Sequence, residues 1–230
     1  RAGGRVTHYW APLGTTDFSA QVAQINRSDA GAIVVVHGGT DGLAFMTQYA
    51  QAGGQKPLIA GSIMADQTML AARGPHRRVM IGMVSGGPIA DVIDDPDWRE
   101  FVERYRRRWL NEGGFPSPSI HAVNYVTNLW GILGALRAVE GDLSNDQAAF
   151  QRALAAQEFK APTGANVKLD HNRQAISDIF LNRVEERDGR AQVVAFGRAA
   201  QVNQTLGVPE AQFLALGAPS RDNPGCVRPS

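Results

Sequence analysis

Residues 17–61 read DFSAQVAQINRSDAGAIVVVHGGTDGLAFMTQYAQAGGQKPLIAG, and the change of apolar period along them decides the fold class. Asp17 is suited to cap a helix that buries Phe18, Val22 and Ile25, which recur at helical spacing. The continuous apolar run at residues 32–36 (AIVVV) predicts a parallel strand covered on both faces. A second helix is predicted over residues 40–52, ending where Gly53 and Gly54 permit the positive φ of a C-terminal cap. Residues 57–60 (PLIA) predict the next strand. Helix, strand, helix, strand in that order implies an α/β domain.

The same alternation extends outward. Residues 5–12 (RVTHYWAP) and 79–84 (VMIGMV) predict further strands, so the first third reads as a doubly wound parallel sheet. Gly86, Gly87 and Pro88 form a breaker cluster, read as a crossing point, after which strands cease for a long stretch. Asp95 and Pro96 make an N-cap and first-turn pair, and Trp98, Phe101, Val102, Tyr105 and Trp109 then share one helical face. Glu100 with Arg104 and Glu103 with Arg107 are spaced for ion pairs on the opposite face, so the run from Arg106 to Arg108 reads as a solvated helix surface. Residues 120–139 carry apolar side chains nearly all round and predict a buried helix. A shorter amphipathic helix is expected over residues 145–156, and a turn over 162–168. Residues 176–185 and 191–196 then predict a strand pair around Asp188-Gly189.

Composition narrows the function. With 230 residues, 43% of them hydrophobic, the chain can bury one large core or two modest ones. Lys and Arg number 23 against 22 Asp and Glu, which leaves no field to gather nucleic acid or an anionic membrane. No apolar run approaches the ~18 residues of a membrane span, and no secretory leader pattern opens the sequence. The single cysteine, Cys226, lies in a Gly/Pro-rich tail as a lone thiol or as half of a bridge to a segment outside the chain.

In open parallel sheets ligands bind beyond the carboxyl ends of the strands, where loops and helix N-termini converge. That rule selects His37, Gly38, Gly39 and Thr40 after residues 32–36, Ser62, Ile63 and Met64 after 57–60, and Ser85 with Gly86 after 79–84. His37 can bond a ligand or pin its own loop; the glycines permit close backbone approach or merely a tight turn. Amides at the start of the second helix can receive a carboxylate. Ile63 and Met64 serve an apolar wall or the core. Catalytic motifs are lacking: Val36-His37-Gly38-Gly39 is similar to a hydrolase oxyanion-hole segment, but no G-x-S-x-G elbow accompanies it, Gly82 and Ser85 being three apart. No dinucleotide or P-loop fingerprint and no metal-ligand spacing occurs among His8, His37, His76, His121 and His171, so neither cofactor nor metal is expected.

Taken in succession, DFSAQVAQIN (17–26), AGAIVVV (30–36), FMTQYAQAG (45–53), residues 57–61, residues 97–109, the Tyr125 helix and TGANVKLD (163–170) resemble periplasmic solute-binding proteins of the branched-chain-amino-acid ABC-transporter type. The resemblance implies the type I periplasmic-binding fold, two α/β lobes joined by three hinge strands, with a small ligand captured between them and delivered to a membrane permease. It assigns residues 1–86 to the first part of lobe two, 87–170 to helices returning to lobe one, and 171–230 to a hinge crossing, a lobe-two strand pair and the tail. It further implies a segment before Arg1 carrying most of lobe one's sheet and a central strand of lobe two. Without those strands, sheet edges are expected to be exposed unless a second copy of the chain covers them.

In amino-acid-binding members, an acidic residue after the strand equivalent to 57–60 holds the ligand ammonium. Here Ser62 or Ile63 stands there, with Asp41 and Asp66 as substitutes or as helix caps. The resemblance therefore ranks aromatic and other organic acids above amino acids as ligands. A ligand-sensing regulator on the same fold is the alternative function, and an α/β hydrolase ranks below both. A periplasmic location follows from the resemblance.

Overall fold

Apolar spacing and capping chemistry generate the helices where they are observed. The structure, a computed structural model, describes residues 3–217, so Cys226 lies outside the described residues. Helix α1 (Ser19–Arg27) buries Val22 and Ile25, with Phe18 at its N-cap and the Asp17 carboxylate accepting the Ser19 amide at 2.9 Å. Helix α2 (Gly39–Gln51) buries Phe45, Met46 and Tyr49 and stops before Gly53, whose φ is +70°. Helix α5 (Pro96–Trp109) is capped by Asp95 and buries Trp98 and Val102. Short helices α3 (Gln67–Leu70) and α4 (His76–Met80) fill the connection between the second and third strands. Helices α6 (Ile120–Ala138), α7 (Ser144–Ala155) and α8 (Glu210–Leu214) complete the set.

Among the described residues seven strands form one mixed sheet in the order β1-β2-β3-β6-β5-β4, with β7 on the other edge of β6. Strands β1 (Ile33–Val35), β2 (Leu58–Gly61) and β3 (Val84–Gly87) are parallel, which is the α/β part read from the sequence. From β3 onward the strands pair antiparallel, through β6 (Ala175–Arg187), β7 (Arg190–Val202), β5 (Asn166–Leu169) and β4 (Glu158–Lys160), and an isolated bridge between Val92 and Val194 is parallel. The β6–β7 turn falls at Asp188 and Gly189, both with positive φ. One edge of β6 is shared: Ala175–Ser177 pairs with β5 and Phe180–Arg183 with β3, while β7 occupies the opposite edge.

Register fixes which face is core. Val35, Ala60, Ser85 and Asn182 are aligned across β1, β2, β3 and β6, and all four are buried. One residue back, Val34, Ile59, Val84 and Arg183 form the row that points the other way. That face is bare: Val34 is 68% exposed and Val36 84%. The two parallel crossovers step across the sheet in one direction, which places their helices on the same side.

Five expectations are corrected here. The strand at residues 32–36 is covered on one face, not two. Residues 5–12 form no strand, because no sheet edge in the described residues pairs with them, although His8 and Trp10 stack at 5.8 Å as extended neighbours do. Val79 and Met80 close α4, Gly82 turns the chain at φ +85°, and the strand begins only at Val84; Gly86 and Gly87 thus lie within β3 rather than breaking it. The helix over residues 120–138 forms, but Tyr125 is 79% exposed and Leu129 and Leu133 are exposed beside it, so it is apolar without being buried. On α5 the expected pairs of Glu100 with Arg104 and Glu103 with Arg107 give way to Arg99 with Asp94, Glu103 with Arg106 and Arg108 with Glu112.

Candidate functional site

The carboxyl ends of β1, β2 and β3 lie side by side, because the three strands are parallel and in register. His37 leaves β1 half-buried, edge-on to Phe18 at 5.2 Å and 5.8 Å from Phe45. Among the described residues none hydrogen-bonds its ring, so aromatic packing rather than a carbonyl holds the side chain. Gly38 caps α2 with extended backbone, and Gly39 takes φ +55°, a conformation that a residue with a Cβ adopts reluctantly. Thr40 is exposed at the first turn of α2, where the amides carry the positive end of the helix dipole.

The loop after β2 meets the loop after β1. A Cβ on Gly38 would stand 3.3 Å from Ile63 Cδ1, and one on Gly42 would stand 2.8 Å from Met64 Sδ. Ile63 remains 40% exposed above this contact, whereas Met64 is fully buried behind α2. Ser62 abuts the end of β3: a Cβ on Gly87 would lie 2.3 Å from its Cβ. The structure therefore brings His37, Gly38, Gly39, Thr40, Ser62 and Ile63 together at the strand ends. Met64 and Ser85 face the core instead, and Ser85 Oγ and Asn182 Oδ1, neighbours across β3 and β6, are buried without hydrogen-bond partners among the described residues. Gly87 is the participant that the sequence reading missed, because a Gly-Gly-Pro run signals a break before it signals a strand.

Neither nearby aspartate is free. Asp41 Oδ2 accepts the Gly14 amide at 2.8 Å, and Asp66 caps α3 through Thr68 while its second oxygen accepts the Ile120 amide at 2.6 Å. Asp91 receives Gln67 Nε2 and the Val193 amide, both at 2.7 Å, and burial pushes its carboxyl above the ordinary carboxylate range. Asp178 shows the reverse balance. Burial alone raises it, but the Arg198 guanidinium and the amides of Gln201 and Asn166 outweigh that and hold it well below the ordinary range. No group of three or more His, Cys, Asp or Glu residues suited to a metal occurs among the described residues. No helix among them is long and apolar enough to cross a membrane. A separate open groove of about 800 Å³ runs between α5 and α6, lined by Phe101, Arg104, Trp109 and Trp130 among others.

A family model described as periplasmic binding protein matches residues 1–190. Among solved structures, an ABC transporter substrate-binding protein from Sphaerobacter thermophilus is 30% identical with a TM-score of 0.73, over 83% of this chain and 51% of that one. A solute-binding protein of an ABC transporter from R. palustris, solved in complex with benzoate, has 19% identity and a TM-score of 0.69, over 86% and 51%. A leucine binding protein from Thermotoga maritima has 18% identity and a TM-score of 0.68, over 86% and 53%. The chain thus spans about half the length of these structures. No curated protein matches it.

Proposed function

Because the chain belongs to the periplasmic binding protein family, we propose that it is the ligand-capturing component of an ABC importer, holding a small organic solute without making or breaking a bond. The observation that carries the reading is the convergence of three parallel strand ends with the N-terminus of α2, which sets Gly38 against Ile63 and Ser62 against Gly87. His37, Thr40 and Ser62 supply hydrogen bonds, the amides of Gly39 and Thr40 receive a carboxylate, and Ile63 offers apolar contact.

On this reading residues 1–86 and the hairpin after 171 belong to one lobe, residues 87–170 return to the other, and β6 crosses between them. The two partners on one edge of β6 support that division. A membrane permease is the macromolecular partner and the periplasm the location, in keeping with a family that works outside the cytoplasm. The comparisons lend no support to self-association.

A thermal-shift screen of the intact protein against aromatic acids, short fatty acids and amino acids tests the reading, since a ligand at 100 times its Kd raises stability by about 2.7 kcal/mol. Capture predicts one class that raises the melting temperature and a His37→Ala variant that weakens that class. A screen without any stabilising solute, repeated by calorimetry, refutes it.

A further inference from the structure

We propose that Asp66 is a positioning residue of the strand-end site: its one carboxylate caps two helices at once and so fixes the loop that carries Ser62 and Ile63 against the start of α6. The proposal rests on the capture reading above and deepens it. Ile120 is the first residue of α6, so its N–H has no partner within the helix. It donates to Asp66 Oδ2 at 2.6 Å, across 54 residues of sequence and out of contact with solvent, while Oδ1 accepts the Thr68 amide at 3.0 Å. Negative charge is favoured at the N-terminus of a 19-residue helix by the helix dipole. Yet α6 already has an ordinary cap, the Ser119 hydroxyl, which accepts the Ala122 amide. What Asp66 adds is therefore the connection between the two helices rather than the start of either.

That connection is short and has no slack. Met64 and Ala65 alone separate Ile63 from Asp66, and Met64, Ala65, Asp66 and Gln67 are all buried. The Ala65 amide bonds the Ser62 carbonyl at 3.1 Å, which closes the helical turn Ser62–Met64 directly onto Asp66. Gln67 makes a second connection alongside: its Nε2 donates at 2.7 Å to Asp91 Oδ2, which also accepts the Val193 amide. Two consecutive residues thus fasten the loop after β2 to residues 91 and 120. On the capture reading both of these lie past the crossing that follows β3, so the bond from Ile120 to Asp66 joins one lobe to the other. A shift of α6 is passed to Ser62 and Ile63, and a solute seated against Ser62 and Ile63 acts back on α6.

Hydrogen–deuterium exchange on the intact protein tests the tie without a solute. Ile120→Pro removes the donor, leaves Asp66 bonded to Thr68, and sets proline at the first helical position, where a helix accepts it. Exchange of the distant Ala65 amide is expected to quicken about tenfold, the scale of one hydrogen bond to a charged acceptor. Ile120→Val, which keeps the N–H, leaves it as in wild type. Asp66→Ser keeps a cap for α3 but is too short to reach α6 as well, and it is expected to quicken exchange at Ala65 and at Val123 alike. The same variants are titrated by calorimetry with benzoate, 4-hydroxybenzoate, leucine and any further solute that the thermal-shift screen finds. A solute that wild type binds is expected to bind Ile120→Pro and Asp66→Ser about fivefold or more weakly, whereas a solely structural role lowers the melting temperature at unchanged affinity. Unchanged exchange at Ala65 in both variants, or unchanged affinity for a solute that wild type binds, overturns the proposal and leaves the capture reading standing. If no solute binds wild type, the capture reading falls and the proposal falls with it.

Discussion

Replacing Asp178 by Asn removes a carboxylate that ties β6 to β7 and to the start of β5. Asp178 Oδ2 accepts Arg198 Nε at 3.1 Å and the Asn166 amide at 3.1 Å, and Oδ1 accepts the Gln201 amide at 2.8 Å. Arg198 Nη2 also bonds Asp178 and donates to the Gly164 carbonyl at 2.9 Å, so the guanidinium stays in place when its partner loses charge. Removing one member of a buried pair costs ~3–5 kcal/mol because the other is left uncompensated. The Arg198 side chain is 39% exposed, so water screens and solvates it, and the expected loss falls to about 2–3 kcal/mol. Urea denaturation at neutral pH reads this as a lower midpoint at unchanged slope. The sign with pH follows from the depressed titration: the contribution is complete above the ordinary Asp value of ~3.9 and is lost as pH falls through the folded-state value. The gap between wild type and Asp178→Asn should therefore shrink from about pH 5 to about pH 2. A loss under ~1 kcal/mol, the scale of an exposed pair, or a gap that does not change with pH, refutes the reasoning.

Three further outcomes follow from the packing. Gly87→Ala forces a methyl to within 2.3 Å of Ser62 Cβ; a loss of ~1–3 kcal/mol in denaturant is expected, with weaker ligand binding by calorimetry, because the loop after β2 must shift. Trp98→Ala empties the site of the largest fully buried side chain and frees the Asp91 carbonyl that accepts its indole; the expected cost is ~3–5 kcal/mol, read by urea titration followed by circular dichroism. At Asp91 the shift is upward, so folding is favoured by its protonation, and that contribution is present below the unfolded-state value and lost as pH rises through the folded one. Asp91→Asn should match or exceed wild type at neutral pH in a melting experiment, whereas Asp91→Leu, which strands the Val193 amide and Gln67, should lose ~1–3 kcal/mol.

Local chemistry was the legible part of this sequence. Asp95-Pro96 announces the start of α5, Gly53 the end of α2 and Asp188-Gly189 the turn between β6 and β7, since each depends on one or two residues and their allowed dihedrals. Apolar spacing likewise located α1 and α2. Cover was not legible: AIVVV and the residues of α6 declare what is apolar, not what lies against it, and Val34 and Tyr125 are exposed. The start of β3 depended on pairing with β2 and β6, which no window of residues 79–87 contains. At the site, the strand-end rule reached His37 to Thr40 and Ser62 to Ile63, while the facing of Met64 and Ser85 depended on register. Asp178 reads in ISDIFL as a polar interruption, because its partner Arg198 is on the next strand, around the turn.

The shared edge of β6 divides that strand between two neighbours. Three consecutive residues belong to one neighbouring strand and four to another, and only Asp178 and Ile179 stand between them, at a slip in the β6–β7 register. β7 runs along the opposite edge of both halves and pairs Ile179 with Ala199, so it acts as a splint laid across a joint. Asp178, clasped by a guanidinium and two amides, rivets that splint at the gap, and a single carboxylate fastens what two neighbouring strands leave uncovered.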